Sequence, residues 1–190
     1  VWVSTGAYEK AVDKCDQILK LDGGYYPAYL TRQQAYFEMH NAQGVVDDYY
    51  RAIEVYPGYY KPYLLAARVF LIYDQYEDAK SVIDRAAENQ VEFSDWLRFC
   101  HAKILRCLSR SEEERKEPMR ILKELKASVN PAETDMEDPS EISFEIALLY
   151  WDDDRFDPAL ECLKEAMRQN PSKGQYFMVK GEILRCKEDY

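Results

Sequence analysis

Two histidines and two cysteines are considered first, because imidazole and thiolate groups bind metal ions and act as nucleophiles. His40 and His101 are the only histidines in the 190-residue chain. Cys100 and Cys107 lie two helical turns apart, and on a helix the side chain of His101 is rotated by about 100° from that of Cys100. These three ligands do not converge on one ion. The spacing favours core cysteines and a partly exposed histidine, and no metal or cofactor site is predicted.

Three aspartates at 152–154, followed by Asp157, have the composition of a calcium-binding loop. The segment lacks the glycine-containing twelve-residue loop and the terminal glutamate of an EF-hand. Asp157 precedes Pro158, and this pair is typical of an N-cap followed by a first-turn proline. We therefore interpret the segment as a structural turn.

Sequence motifs of catalytic sites are absent. The chain has no G-x-S-x-G, no glycine-rich phosphate loop and no Ser or Cys beside a His in a catalytic motif. Because the chain has 35 acidic residues, some carboxylates will lie close together by chance. Proximity of two carboxylates is therefore no evidence of a catalytic pair. The charged segments 112–117 and 136–139 are interpreted as solvated loops, with partner contacts as the alternative. The sequence predicts a protein that is not an enzyme.

Composition disfavours several other classes of protein. The net charge of −10 disfavours nucleic-acid binding, because phosphate backbones are anionic. No apolar run approaches the roughly 18 to 20 residues that a membrane-spanning helix needs. The five cysteines are scattered and odd in number, which disfavours a disulfide framework and favours a reducing compartment. No export signal is visible, so a cytoplasmic location away from membranes is predicted.

An internal repeat of 34 residues indicates which elements would position a site. The motif Gly-Tyr-Tyr-Pro-Ala-Tyr at 24–29 recurs at 58–63 as Gly-Tyr-Tyr-Lys-Pro-Tyr. From Ala67 to Ala147 the interval is 80 residues, which is two periods plus about 12 residues. One unit between these positions is therefore predicted to carry an insertion of that size.

Each period contains two blocks with the apolar spacing of an α-helix. In the unit that begins at Gly58, Asp74 and Gln75 separate the blocks and leave room only for a tight antiparallel turn. Pro57 and Pro171 fall where a second helix should end, because proline lacks the N–H that continues the ladder. Each unit is predicted to be a helical hairpin. The two stripes of this unit are Tyr63, Ala66, Ala67 and Phe70, and Tyr76, Ala79, Ile83 and Ala86.

The period and these residues resemble the tetratricopeptide repeat. The resemblance covers nearly the whole chain, although Arg32 and Gln33 stand where the family prefers Leu and a small residue. It implies an all-α fold, a right-handed superhelical solenoid of antiparallel helix hairpins. The matching residues are Tyr29, Tyr36, Tyr49, Ala52 and Pro57; Tyr63, Ala67, Phe70, Tyr76, Ala79 and Ala86; and Ala147, Tyr150, Phe156, Ala159, Ala166 and Pro171.

This register divides residues 1–190 into a single array. In the divergent repeat, about five inserted residues are expected between the helices and seven after the second helix. Because both ends fall inside a repeat, we expect a fragment of a longer array, with Val1, Trp2 and Val3 as the remnant of a first helix and residues 187–190 as a turn. The predicted parts are a half repeat at 1–23 (second helix), repeats at 24–57 and 58–91, a divergent repeat with about 12 inserted residues at 92–139, a repeat at 140–173 and a half repeat at 174–190 (first helix).

The family resemblance also selects side chains that would point into a concave groove lined by the first helices. The selected set is unusually apolar and contains two arginines, which suits an amphipathic helix or an extended peptide bearing acidic residues. The alternative is that these side chains pack against each other or against a missing repeat. The candidate residues are Leu30, Thr31, Gln34 and Phe37; Leu64, Leu65, Arg68 and Leu71; Arg98, Phe99, Ala102 and Leu105; and Phe144, Glu145, Leu148 and Trp151.

Two further features bear on partners. The Lys and Asn with which some members of the family hold the carboxylate tails of chaperones are absent at the matching positions. Most of the 16 tyrosines occupy family packing positions, but Tyr25, Tyr26, Tyr59 and Tyr60 lie at the turns between repeats. They are predicted to be either clamps on the next hairpin or a contact strip for another protein.

The sequence as a whole predicts a non-catalytic scaffold for protein–protein interaction, which binds a peptide or partner helix in its groove. The alternative is a substrate-recognition or regulatory segment of a larger multidomain protein, such as a J-domain-type co-chaperone or an enzyme. An enzyme in its own right is disfavoured, because no motif supports it.

Overall fold

A computed structural model describes residues 7–188 as ten α-helices joined by turns and loops, with no β-strand in that range. This confirms the all-α prediction. Within the same range, no helix is both long and apolar enough to span a bilayer. The chain forms two compact units, Val1–Phe93 and Ser94–Tyr190. The predicted helix remnant at Val1, Trp2 and Val3 lies outside the described residues, as does the end of the turn predicted at 187–190.

The helices that follow one another in the chain pack in pairs, α2 with α3 and α4 with α5 in the first unit, and α6 with α7 and α8 with α9 in the second. In the first unit the helices are α1 (Tyr8–Leu21), α2 (Tyr26–Glu38), α3 (Ala42–Val55), α4 (Tyr60–Ile72) and α5 (Tyr76–Glu88). In the second they are α6 (Asp95–Leu108), α7 (Glu112–Ser128), α8 (Ser140–Asp152), α9 (Phe156–Gln169) and α10 (Gly174–Glu188).

Three of the hairpin turns share one backbone geometry. In the α2–α3, α4–α5 and α8–α9 turns the middle residue, His40, Asp74 or Asp154, has a φ of 55° or 56°. The next N–H then donates to a carbonyl five residues earlier, as Asn41 does to Tyr36 at 2.9 Å. This is the closure of a Schellman motif, which ends a helix and reverses the chain in three residues.

The helices of a hairpin approach each other closely because small residues occupy the contact. Ala35 on α2 and Ala52 on α3 have no exposed surface. Gly44 on α3 lies against the ring of Tyr36, so close that a methyl group at Gly44 would stand 2.6 Å from the ring carbons Cγ and Cδ2. Close packing of this kind leaves no space for one more carbon atom.

Tyrosine rings connect the hairpins of the first unit. The ring of Tyr26 meets those of Tyr56 and Tyr59 edge-on, with centroids 5.3 and 6.3 Å apart, and Tyr59 contacts Tyr60 at 5.1 Å. These contacts join the start of α2 to the end of α3 and the start of α4. Tyr25 and Tyr56 are exposed. The cluster therefore joins neighbouring hairpins and leaves Tyr56 exposed to solvent, as is Tyr25 next to it in the chain.

In the divergent repeat, predicted at 92–139, the inserted residues are not distributed as expected. The α6–α7 turn has three residues, 109–111, as in the other hairpins, so the prediction of about five extra residues there is wrong. The extra length lies in α7, which has 17 residues, and in the loop 129–139. The segment 112–117, predicted as a solvated loop, forms the first turns of α7. Its start is capped by Ser111, whose Oγ accepts a hydrogen bond from the Glu114 N–H at 3.3 Å.

The loop 129–139 is packed onto the second unit, which contradicts the prediction of a solvated segment at 136–139. Met136 is buried in the hydrophobic core that α6, α7 and α8 share. Asp135 accepts a hydrogen bond from the Trp96 N–H at 3.0 Å, at the start of α6. Asp138 accepts hydrogen bonds from Asn170 at 2.8 Å and from Lys173 at 3.0 Å, both beyond α9. The loop 129–139 therefore links the start of α6 to the residues that follow α9 within the second unit.

The aspartate segment at 152–157 forms the end of α8, a turn and the start of α9. Asp154 occupies the left-handed position of that turn. The prediction that Asp157 is the N-cap is wrong, because α9 starts at Phe156 with Arg155 as its N-cap. Asp157 instead lies in the first turn of α9, where its carboxylate pairs with Lys187 on α10. A carboxylate is favoured there because the N-terminal end of a helix carries partial positive charge.

The contact between Gly44 and Tyr36 predicts the effect of adding a methyl group at this position. Gly44→Ala should lower the free energy of unfolding by about 1–3 kcal/mol, because the Tyr36 ring must move. The control is Gly181→Ala on α10, where a methyl group meets no atom within 4 Å. That change should stabilise the protein by about 0.5–1 kcal/mol through helix propensity. Urea denaturation followed by circular dichroism measures both, and equal effects of the two substitutions would contradict the packing.

Asp138 predicts a pH-dependent contribution to stability. Burial opposes its ionisation, but hydrogen bonds from Ser140, Lys173 and Asn170 outweigh burial and hold the pKa of Asp138 below its ordinary value of 3.8. Because the folded-state pKa is depressed, the ionised carboxylate stabilises the fold at pH values above the ordinary pKa of 3.8. This stabilisation is lost as the pH falls through the folded-state pKa. The difference in unfolding free energy between the parent and Asp138→Asn should therefore shrink between about pH 4.5 and pH 3.

The measurement for Asp138 is a series of urea titrations across that pH range. Asp84→Asn, at an exposed aspartate that pairs with Lys80 in the same helix, serves as the control for the loss of one surface carboxylate. Parallel profiles for the parent and Asp138→Asn would show that Asp138 does not link folding to protonation.

Candidate functional site

The first helices of the first unit bring two of the predicted groove residues into direct contact. On α4 the guanidinium of Arg68 stacks over the ring of Phe37 on α2, with its Cζ 4.4 Å from the ring centroid. Leu30 and Gln34 on α2 and Leu71 on α4 are half-buried. Of the predicted residues in this unit, the structure thus brings Phe37 and Arg68 together.

A pocket of about 200 Å³ opens beside the Phe37–Arg68 pair. It is bounded by the end of α2, the turn 39–41, the start of α3 and the last turn of α4. Val45 and Val69 form its floor and belong to a small buried cluster with Leu65. Ile72 and Tyr73 line its outer part and are 64% and 54% exposed, which is high for such large apolar side chains. We call this site the Phe37–Arg68 pocket.

Several predicted groove residues are core residues instead. Phe99 is buried in the cluster that α6, α7 and α8 share, and Phe144 is buried against Tyr176 with ring centroids 4.8 Å apart. Leu64 is also buried, and Ala102 has no exposed surface. The prediction that these side chains line an accessible groove is wrong, because each of them faces a packed neighbour.

The polar side chains of α6 that reach toward α8 lie one residue beyond the predicted positions. Lys103 and Arg106, next to the predicted Ala102 and Leu105, reach Glu145 on α8. The Lys103 Nζ lies 3.2 Å and the Arg106 Nε 2.7 Å from the Glu145 carboxylate. A second Arg106 nitrogen lies 3.6 Å from Asp152. The sequence analysis did not select either cation, although a basic pair three residues apart on one helix was a visible signal.

This charged cluster contains a fully buried acid. Glu145 is 1% exposed, and its two oxygens are each matched by a cation. Burial disfavours the ammonium group of Lys103, but Glu145 and then Glu141 outweigh burial and raise the pKa of Lys103. The same balance raises the pKa of Arg106. Lys103 and Arg106 are therefore held in their cationic forms at neutral pH, and with Glu145 and Asp152 they form an ion-pair network between α6 and α8.

The remaining predicted residues have more ordinary surroundings. Arg98 lies 3.7 Å from Glu124 on α7 and 3.9 Å from Asp95. Leu148 and Trp151 are half-buried against the α8–α9 core. Thr31 is exposed and Leu65 is buried. Leu105 packs at the edge of the α6–α8 core.

The described residues offer no arrangement for metal chemistry. Across residues 7–188, no three His, Cys, Asp or Glu side chains come together in a way that could hold an ion. The five cysteines are unpaired as disulfides, and Cys15 and Cys100 are buried. Burial raises the pKa of the Cys15 thiol, which makes it a weaker nucleophile.

Comparisons with known proteins identify the fold. No family model and no curated protein matches the sequence. Among solved structures, YrrB, a TPR protein with an unusual peptide-binding site, matches with a TM-score of 0.64 and 18% identity over 92% of this chain and 84% of that one. TTC0263, a TPR protein of Thermus thermophilus, matches with 0.64 and 20% over 95% and 92%. A chain of the APC/C hetero-tetramer Cut9–Hcn1 matches with 0.76 and 12% over 98% and 36%.

These matches confirm the tetratricopeptide resemblance at the level of the fold. At such low sequence identities the matches show a similarity of the backbone fold. Which ligands this chain binds has to be argued from its own side chains.

The Glu145 network predicts a large effect of a single substitution on stability. Glu145→Ala leaves Lys103 and Arg106 side by side without their anion, so the second unit should lose about 3–5 kcal/mol of unfolding free energy. Glu161→Ala is the control, because Glu161 is exposed and pairs only with Lys164 in the same helix. Its effect should stay below about 1 kcal/mol. Tryptophan fluorescence in urea reports on this unit through Trp96 and Trp151, and a small effect of Glu145→Ala would refute the role of the network.

Proposed function

We propose that this chain is a non-catalytic scaffold for protein–protein interaction that binds a peptide or partner helix through its first unit. The Phe37–Arg68 pocket is the observation that carries this proposal. Monomeric proteins seldom expose clustered large apolar side chains without a binding role. Here Ile72 and Tyr73 line an apolar cleft that is open to solvent.

The geometry of the pocket suits a side chain presented by another protein. Its floor consists of Val45 and Val69, which are rigidly held in the core. Its wall is the stacked pair of Phe37 and Arg68. Peptide recognition on helical scaffolds commonly uses a few apolar anchors that enter such preformed clefts. A preformed cleft favours binding because little order has to be imposed when the partner arrives.

The comparisons support the same proposal. YrrB has the same fold and is described as having a peptide-binding site, and the Cut9–Hcn1 match comes from a multi-chain assembly. This chain covers only 36% of the matched chain in that assembly, so an array of this size also occurs as part of a longer protein. A recognition or regulatory segment of a larger protein, such as a co-chaperone or an enzyme, is therefore the second form of the proposal.

The test begins with selection of ligands from a displayed library of random 16-residue peptides against the chain. Peptides that bind are then measured by isothermal titration calorimetry against Ile72→Ser combined with Tyr73→Ser. We expect at least tenfold weaker binding, which corresponds to about 1.4 kcal/mol. Both side chains are exposed, so the fold should survive their replacement.

The matched control is Leu21→Ser, which removes an apolar side chain that is 91% exposed on α1. This variant should bind as the parent does. The proposal fails if no peptide is selected above background, or if the selected peptides bind the Ile72/Tyr73 variant as tightly as the parent.

A further inference from the structure

We infer that one face of α10 is a docking site for a single amphipathic α-helix of a partner protein, which packs on it as α9 packs on α8. We call this surface the α10 face. Its residues are Phe177, Met178, Gly181 and Leu184. The three large side chains are exposed, and Met178 is 67% exposed. The inference goes beyond the proposed function, because this face belongs to the second unit.

The opposite side of α10 is held in the core of the second unit. Tyr176 and Ile183 have no exposed surface and belong to the buried cluster that α8 and α9 form. The Tyr176 hydroxyl lies 2.7 Å from that of Ser140 at the start of α8. Lys187 pairs with Asp157 on α9. These contacts fix the orientation of α10, so the α10 face is a preformed surface and little order has to be imposed on binding.

The first argument is the burial of the equivalent residues in other hairpins. The 34-residue interval relates Met178 to Phe144 and Gly181 to Ala147, and both of these α8 residues are buried. On α4 the residue equivalent to Gly181 is Ala67, which has no exposed surface. The α10 face therefore occupies positions that belong to the core in the α4–α5 and α8–α9 hairpins.

The helix that covers these positions elsewhere is the second helix of the hairpin. Each of α2, α4, α6 and α8 makes its most extensive contacts with the helix that follows it, whereas the main contacts of α10 are with α9, the helix before it. Ala147 on α8 and Ala159 on α9 belong to one buried cluster. A methyl group at Gly181 would meet no atom of the described residues within 4 Å. The α10 face thus continues the series of hairpin surfaces and has the small central residue that close approach of two helices requires.

The second argument gives the chemistry of the partner helix. The helices α5 and α9 share one pattern, in which an aromatic residue is followed by a buried Ala after three residues, a buried Ile or Leu after seven and a second buried Ala after ten. A partner that covers the α10 face in the same way should have this pattern, with a small residue where it crosses Gly181. The residues of the pattern are Tyr76, Ala79, Ile83 and Ala86 on α5, and Phe156, Ala159, Leu163 and Ala166 on α9.

Other occupants fit the α10 face less well. An extended segment would place its own N–H and C=O groups against a helix whose backbone groups are already paired, and burying polar groups without partners is unfavourable. An α-helix satisfies these groups internally. A second copy of this chain would bring another body of charge −10 to the first, and the two would repel each other.

A constrained peptide with the sequence of α9 tests the packing. It covers residues 155–170 and carries a cross-link between positions 164 and 168, which are exposed in α9, because short isolated helices are only marginally stable in water. The peptide is titrated into the 190-residue chain, labelled at its methionine and leucine methyl groups, while the resonances of Met178 and Leu184 are followed by NMR. We expect saturable shifts with a Kd on the order of 0.1 mM.

Substitutions at Gly181 separate helix packing from nonspecific apolar association. Gly181→Ala should change the Kd by no more than about twofold, because Ala147 stands at the equivalent position of α8. Gly181→Leu should raise the Kd at least about tenfold, because its side chain prevents close approach although it adds apolar surface. Met178→Ser should also weaken binding. Glu182→Gln, at an exposed residue beside the face, should leave the Kd unchanged.

The methyl spectra of each variant without peptide report whether the fold is intact. The inference is overturned if the resonances of Met178 and Leu184 do not respond to the peptide, or if Gly181→Leu binds it as tightly as Gly181→Ala. It is also overturned if the response is confined to Leu163, because the peptide would then be exchanging with the chain's own α9. Self-association of the chain that sedimentation detects and Gly181→Leu abolishes would identify a second copy as the occupant and overturn it too.

The two proposals can be tested separately. Replacing Ile72 and Tyr73 by serine should leave binding of the constrained peptide unchanged, because both residues belong to the first unit. Loss of library-peptide binding in that variant supports the proposed function alone. Loss of constrained-peptide binding in Gly181→Leu supports the α10 face alone.

Discussion

The close contact between the two helices of each hairpin is the constraint on which the rest of this structure depends. Two helix backbones approach closely only where the side chains between them are small. Ala67 on α4 and Ala79 on α5 have no exposed surface, and Ala147 and Ala159 are buried to the same extent in the second unit. These small residues fix the register of each hairpin. The register in turn decides which side chains of a first helix turn away from the core, and therefore where a pocket can form.

That dependence explains which of the predicted groove residues lie in contact and which of them are buried in the core. In the first unit the 34-residue interval holds from α2 to α4, and Phe37 and Arg68 are in contact as the register implies. Between α5 and α6 the connection has six residues, 89–94, whereas α3 and α4 are separated by four. The buried alanine of α6 is accordingly Ala102, and Lys103 and Arg106 point toward Glu145 on α8. A shift of one residue on a helix rotates the pattern by about 100°, which was enough to move the prediction from the surface into the core.

In the divergent repeat, the start of α7 could be predicted from the sequence, but the packing of the loop 129–139 could not. One signal in it was local and available: Ser111 followed three residues later by Glu114 is a typical helix start, and the structure has that N-cap. The loop that follows was not predictable in the same way. Met136 finds its place in a core assembled by α6, α7 and α8, and Asp138 finds Lys173 from 35 residues away. Local composition indicates that such residues are charged or flexible, but their burial depends on partners that only the assembled unit supplies.

The two units use equivalent positions of their first helices in opposite ways. On α6 and α8, Lys103 and Arg106 pair with Glu145, and Arg106 also lies near Asp152, so these charges are already matched inside the protein. A surface of that kind offers an incoming partner little, since each new ion pair would require an existing one to break. On α2 and α4, Arg68 lies over the Phe37 ring beside an apolar cleft that Val45, Val69 and Ile72 help to line. The proposed binding site therefore lies in the first unit, while the corresponding charges of the second unit form an internal ion-pair network.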